Sequence, residues 1–220
     1  MKKINVIITG VTGMVGEGVL LECARDENVA RILVLGRKHY EFSHPKVQEL
    51  LLSDFSEINK YADILKEFDA CFFCAGVSSI GENEESFTKK TYDFVVPFAT
   101  TFSQINPDSV FIYVSGNRTD STEKGKVMWA RVKGRTENAL MRLPFKNQFN
   151  FRPAIMTANK GQKNVNVIYR ILAPIISPFF SAKTLNLSQV GRAMVNAVLV
   201  GYSKQIMEVD DIDLLSKVKR

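Results

Sequence analysis

From Ile4 onward, short apolar runs rich in β-branched residues alternate with longer stretches whose apolar positions recur at helical spacing. This alternation is the signature of a parallel sheet covered by helices on both faces. Ile4 to Thr9 reads as a strand ending at Gly10, and Met14 to Arg25 as the helix that follows. Ala30 to Leu35 is a second strand, closed by Gly36-Arg37, and a weaker third lies near Gln48 to Leu52, before Ser53-Asp54 and a helix around Asn59 to Glu67. Ala70 to Cys74 is a fourth strand, stopped by Ala75-Gly76. Phe87, Tyr92, Val95, Val96 and Ala99 keep helical spacing and predict a long helix from Ser86 to Asn106, bent or interrupted at Pro97. Val110 to Val114 and Gln148 to Arg152 are further strands, separated by a helix from Val127 to Arg142 that Pro144 ends. Ser188 is the expected N-cap of a helix over Gln189 to Val200, Gly201 its C-cap, and Gln205 to Val209 the last strand. The expected architecture is α/β: a doubly wound, mainly parallel sheet of about seven strands.

The totals narrow this picture. A chain of 220 residues, 45% hydrophobic and 24% charged, suits one large domain over 1–220, with a small substrate-side cap built from about 153–187. The net charge of +6 suits a site for a doubly charged diphosphate. The basic residues are spread along the chain without any nucleic-acid-binding motif, so no nucleic-acid partner is expected. Met1-Lys2-Lys3 leads straight into a strand, and Cys23, Cys71 and Cys74 suit a reducing compartment; the expectation is a cytoplasmic protein. Cys71 and Cys74 fit the CxxC pattern, but strand positions three apart face opposite ways, so both are read as core. The apolar run Ile171 to Phe180 contains Pro174 and Pro178 and is too short to span a bilayer. Ile168 to Phe180 reads either as a cover for the substrate cleft, as a partner surface or as a buried helix. His39 and His44 have no ligand-spaced companions, so no metal is expected. A homodimer is left open.

The candidate chemistry begins at Thr9-Gly10-Val11-Thr12-Gly13-Met14-Val15-Gly16, three glycines at a spacing of three between a strand and a helix. Gly10 suits the tight turn, Gly13 a close approach to phosphate, and Gly16 the packing of helix on strand. Helix-start N–H groups at Met14 and Val15 would then face a dinucleotide's diphosphate. At the end of the second strand stand Arg37 and Lys38 in place of an acidic residue, which favours the 2′-phosphate of NADP, with NAD as the alternative.

This glycine run resembles the atypical or extended short-chain dehydrogenase/reductase superfamily. The similarity continues through Gly36-Arg37, Cys74-Ala75-Gly76, Ser115-Gly116, Lys133-Gly134 and Arg152-Pro153. Within it the chain is similar to the small single-domain NAD(P)-binding proteins of the Tat-interacting-protein and epimerase-like group. The resemblance implies a Rossmann fold, a cofactor site drawn from Gly10, Thr12, Gly13, Met14, Val15, Gly16, Cys74, Ala75 and Gly76, and Asp54 at the position that touches adenine. Asp54 reads equally well as a helix cap. Arg152, Pro153 and Ile155 fall in the loop that lies along the nicotinamide, and Ser115 at the catalytic serine that holds a substrate carbonyl.

The superfamily's Tyr-x-x-x-Lys is altered here to Trp129-Ala-Arg-Val-Lys133. Trp129 and Lys133 share a helix face, but an indole N–H cannot exchange its proton usefully, whereas a tuned phenol can. Lys133 could still bind ribose hydroxyls. Tyr113 and Tyr92 could supply a proton, although each reads more readily as core. Two functions follow. One is an NADP-dependent oxidoreductase acting on a small carbonyl, hydroxyl or sugar-nucleotide-like compound. The other is an NADP(H)-binding regulatory or sensor protein that has lost its chemistry.

Overall fold

The strands that the sequence marks as β-rich assemble, in a computed structural model that describes residues 3–165 and 184–219, into one seven-stranded sheet. Its order is β3 (Val47–Leu51), β2 (Val29–Gly36), β1 (Ile4–Thr9), β4 (Ala70–Phe73), β5 (Val110–Val114), β6 (Asn147–Phe151), β9 (Ile206–Met207). Every neighbouring pair is parallel. A separate two-stranded ribbon pairs β7 (Met156–Thr157) with β8 (Leu185–Asn186). The wholly parallel, doubly wound sheet is the expected Rossmann-type architecture.

Strand alternation divides the core in two. Val6, Ile8, Ala70, Phe72 and Ile112 face α1 (Met14–Arg25), α6 (Leu187–Val200) and α7 (Val209–Ser216). Ile7, Cys71, Phe73 and Phe111 face the other way, towards a 3-10 turn (Phe55–Tyr61), α2 (Ala62–Leu65) and α4 (Tyr92–Ile105). There Phe73, Phe98 and Phe111 meet at ring-centroid separations of 5.3–6.4 Å. Each fully buried phenylalanine contributes about 1.5–3 kcal/mol, so this aromatic layer holds α4 and the ends of β4 and β5 in fixed relation.

Four boundaries differ from expectation. The helix predicted over Asn59 to Glu67 begins earlier as the 3-10 turn and ends as the single turn α2. The long helix divides at Thr91, into α3 (Glu84–Lys90) and α4, and not at Pro97. Pro97 stands inside α4 on its exposed face, and so does Asp93, whose carbonyl loses its amide partner to the proline and can turn to water. The N-cap of α6 is Asn186 rather than Ser188: Asn186 Oδ1 accepts from Gln189 N at 2.8 Å while Gln189 Oε1 accepts from Asn186 N at 2.9 Å. The last strand is only Ile206–Met207, because Glu208 and Asp211 form a capping box that starts α7 at Val209.

Most of the cap expected over 153–187, and the apolar segment 168–180 within it, lies outside the described residues. Among the described residues no helix is long and apolar enough to cross a membrane, and no group of three or more His, Cys, Asp or Glu could hold a metal ion.

Candidate functional site: a glycine turn beside a buried ion pair

β1 stands beside the central strand β4, the strand order reverses between the two, and the carboxyl end of β1 opens into the glycine turn. Gly10 has φ +73°, in the left-handed region, and a Cβ there would lie 2.6 Å from the backbone of Ala75. Ala75 N donates to Thr9 Oγ1 at 3.2 Å, which ties the Cys74-Ala75-Gly76 loop to the turn. A Cβ on Gly16 would come within 2.3 Å of the Gly10 carbonyl oxygen, so only glycine lets α1 start this close to β1. Gly13 is different. It is the exposed N-cap of α1, its extended backbone suits any residue, and an added Cβ would meet nothing closer than Gly10 O at 3.4 Å. Glycine is not demanded there by the protein's own packing. Gly13 immediately precedes the first turn of α1, whose leading N–H groups have no intrahelical partner and are the groups a phosphate takes.

Arg37 and Lys38 are exposed where β2 ends. The Arg37 guanidinium stacks 5.8 Å from the centroid of Phe94 on α4, held in place without being buried. Glu49 on β3 pins the adjoining loop by accepting from Tyr40 N at 2.9 Å and pairing with His39 Nδ1 at 2.5 Å. Asp54 caps the 3-10 turn: Ser56 N donates to its carboxylate at 2.9 Å, and these hydrogen bonds hold the carboxyl below its usual range. Of the two readings of Asp54, the cap is the one the structure displays.

The other half of the site is built from side chains of α5 (Met128–Leu140) against the ends of β5 and β6. Trp129, Lys133 and Glu137 follow one another at intervals of four along one helix row. Lys133 Nζ donates to the Ser115 carbonyl at 2.6 Å, and burial pushes its pKa down to about 8 against the opposing pull of Glu137. Ser115 is only 7% exposed, and its Oγ donates inward to Glu137 Oε1 at 2.5 Å. Glu137, 0% exposed, also takes Arg152 Nε at 3.0 Å on Oε1 and Arg152 Nη2 at 2.5 Å on Oε2. Arg152 further donates to Glu208 at 3.1 Å and to Ser121 at 2.6 Å.

The Ser115 hydroxyl is turned into the protein towards Glu137, and the Arg152 guanidinium is committed to the carboxylates of Glu137 and Glu208. The neighbouring backbone is also engaged: Pro153 O accepts from Asn117 N at 3.0 Å, and Ile155 O from Leu185 N at 3.1 Å. Tyr113 lies in the core, and burial, and then the Glu137 charge, push its phenol well up. Tyr92 packs beneath the Arg135 guanidinium at 4.3 Å. Cys71 and Cys74 lie on opposite sheet faces, and burial raises both thiols, Cys74 to about 12.

Sequence reasoning missed Glu137 and Glu17. The signal for Glu137 was its place one turn beyond Lys133 on the same row. For Glu17, whose partners lie 146 and 147 residues away, no local signal existed.

Comparisons with known proteins agree with this geometry. The profile of the family described as Epimerase, the NAD dependent epimerase/dehydratase family, matches residues 6–118, which include the glycine turn and Ser115. Protein HTATIP2 of Rattus norvegicus is 21% identical over 212 residues, 94% of this chain and 86% of that protein. Among solved structures, UDP-N-acetylglucosamine 4-epimerase from Methanobrevibacter ruminantium M1, in complex with UDP-N-acetylmuramic acid, is similar with a TM-score of 0.68 at 14% identity, over 95% of this chain and 77% of that one. The Bordetella bronchiseptica enzyme WbmH, in complex with NAD+, is similar with a TM-score of 0.66 at 17% identity, over 94% of this chain and 75% of that one. At these identities the structures speak for the fold.

Proposed function

The chain belongs to the NAD dependent epimerase/dehydratase family, and from that premise we propose that it is an NADP-dependent oxidoreductase acting on a small carbonyl, hydroxyl or sugar-nucleotide-like compound. The observation that carries the cofactor reading is the open face of Gly13 in front of the α1 N-terminus, a space that packing leaves unused and a phosphate fits. The nicotinamide, when bound, supplies or accepts the hydride. Arg37 and Lys38 give the cationic end that a 2′-phosphate needs, and their exposure leaves them accessible to it. Gly10, Thr12, Gly13, Met14, Val15 and Gly16 present backbone to the diphosphate, and Cys74, Ala75 and Gly76 flank it.

On the chemical side, Ser115 acts through its backbone: its carbonyl fixes Lys133 Nζ and leaves the remaining N–H groups of Lys133 for ribose hydroxyls. Trp129 donates a hydrogen bond at most, so the proton of the reaction passes through water or Lys133. A second reading, a non-catalytic NADP(H)-binding regulator, is favoured by Trp129 together with the inward-turned Ser115 hydroxyl.

Calorimetric titration with NADPH and NADH tests the cofactor reading. The expected result is tighter binding of NADPH, with the preference lost in Arg37→Ser. Equal affinities for the two would overturn the NADP assignment, and absence of any binding would overturn the reading as a whole. Oxidation of NADPH in the presence of a carbonyl panel then separates the two functions. Turnover by the natural protein supports the enzyme, whereas tight binding without turnover, restored in Trp129→Tyr, supports the regulator.

A further inference from the structure

Glu17 has no part in that reading, yet it is one of the most deeply placed charges in the protein. It follows Gly16 in the first turn of α1, is 1% exposed, and accepts three hydrogen bonds: from Tyr40 Oη at 2.8 Å and from the backbone N–H groups of Lys163 and Asn164 at 2.7 Å each. A buried carboxylate is tolerated only when such donors satisfy it. Here two of the three belong to one segment, so the carboxylate fastens that segment to α1. Side chains of the same segment add further stitches. Gln162 Nε2 donates to Met14 O at 2.8 Å, Asn159 Nδ2 to Gly18 O at 3.2 Å, and Asn164 Nδ2 to Val11 O at 3.3 Å. Every acceptor is a carbonyl of the glycine turn or of the first turns of α1. A Cβ on Gly18 would lie 2.5 Å from Leu187 and 3.1 Å from Gln162, so glycine at 18 is what allows this close approach.

An acidic side chain in the first helical turn ordinarily competes with a phosphate for the positive end of the helix. Glu17 avoids the conflict by directing its charge sideways, into amides of a distant segment. We propose that Glu17 is a positioning residue for the cofactor: it fastens residues 159–164 across the glycine turn, so that this segment forms an outer wall of the dinucleotide's diphosphate site. The inference rests on the cofactor reading above and adds to it a wall contributed from the far side of the sequence.

The test combines amide hydrogen exchange with ligand titration on the full chain. In the natural protein the Lys163 and Asn164 amides are protected, and NADPH protects them further. Glu17→Gln loses that protection and binds NADPH about tenfold more weakly. Binding of adenosine 2′-monophosphate, which lacks the diphosphate, stays unchanged, a distinction that general destabilisation would not produce. Because Glu17→Gln removes a buried charge and could disturb folding, the double variant Asn159→Ala/Gln162→Ala removes the outer stitches instead and should act in the same direction. Natural affinity for NADPH in both variants, with their 163 and 164 amides exchanging freely, overturns the proposal while leaving the cofactor reading intact. Equal weakening of NADPH and adenosine 2′-monophosphate also overturns it. Failure of the natural protein to bind NADPH or NADH would remove the cofactor reading itself, and this inference with it.

Discussion

Replacing Glu137 with alanine should expose how much of the protein's stability resides beneath the α5 half of the site. The carboxylate is wholly buried and receives Ser115 Oγ, Arg152 Nε and Arg152 Nη2. Its removal strands a guanidinium that is itself nearly buried. Breaking such a pair from one side costs about 3–5 kcal/mol. Arg152 keeps Glu208 and Ser121, and Ser115 can turn to the Phe151 carbonyl at 3.2 Å, so the lower end of that range is the expected value. At about 2–4 °C per kcal/mol for a chain of this size, the thermal midpoint should fall by roughly 6–12 °C for a loss near 3 kcal/mol. Urea denaturation monitored by circular dichroism measures the loss directly. The double variant Glu137→Met/Arg152→Met removes both charges and should recover much of it, since a buried pair is often replaceable by apolar residues of similar volume. A loss below about 1 kcal/mol in Glu137→Ala, far under the usual cost of stranding a buried partner, would refute the reasoning, as would a double variant less stable than either single one.

The glycine turn makes a second prediction. Gly13→Ala should keep or slightly raise the thermal midpoint, because its extended backbone accepts alanine, while NADPH affinity falls at least about tenfold, or 1.4 kcal/mol; unchanged affinity by titration would show that no phosphate sits there. Gly10→Ala, at φ +73° and 2.6 Å from Ala75, should instead lower stability before any ligand is added, a difference that thermal melts of the two variants will show. Lys133 supplies a pH prediction. Its folded pKa near 8 lies below the unfolded value of about 10.4, so the unfolded chain binds the extra proton between these limits, and the native state gains stability as pH rises through them. Denaturation midpoints measured from pH 7 to 10.5 should therefore climb in the natural protein relative to Lys133→Met, and parallel curves would refute the assignment.

The first strand, the glycine turn and α1 were legible to the residue, because steric demands at Gly10 and Gly16 are local and the apolar spacing on either side is unambiguous. Pro97 misled because a proline breaks a helix only where the carbonyl it orphans has no other partner, and the exposure of Asp93 is a tertiary fact. The start of α7 was missed because its capping box is built from Glu208 and Asp211, where the usual signal is a serine or threonine. In the site, the reading stopped at Lys133, one turn short of Glu137, and so did not foresee the buried carboxylate that pairs with both Ser115 and Arg152.

These successes and failures share a physical cause. The glycine turn is made of main chain, and its geometry is dictated by which residues lack a side chain, a property written at the position itself. The buried carboxylates, one in each half of the site, are satisfied by distant segments: Glu137 by Arg152, and Glu17 by amides of 163 and 164, pairings that no single segment can announce. The substitution of Trp129 for tyrosine therefore cannot be weighed alone. With Ser115 held inward by Glu137, a tyrosine restored at 129 would face a pocket whose serine hydroxyl donates elsewhere. Trp129→Tyr should therefore regain less than the full 10²–10⁴-fold that general acid catalysis contributes. Any further gain should appear only when Glu137→Gln is added, since the amide can donate to Ser115 Oγ and free its proton for the cleft. Equal NADPH oxidation rates in the single and double variants would show that the serine's orientation has no bearing on the chemistry.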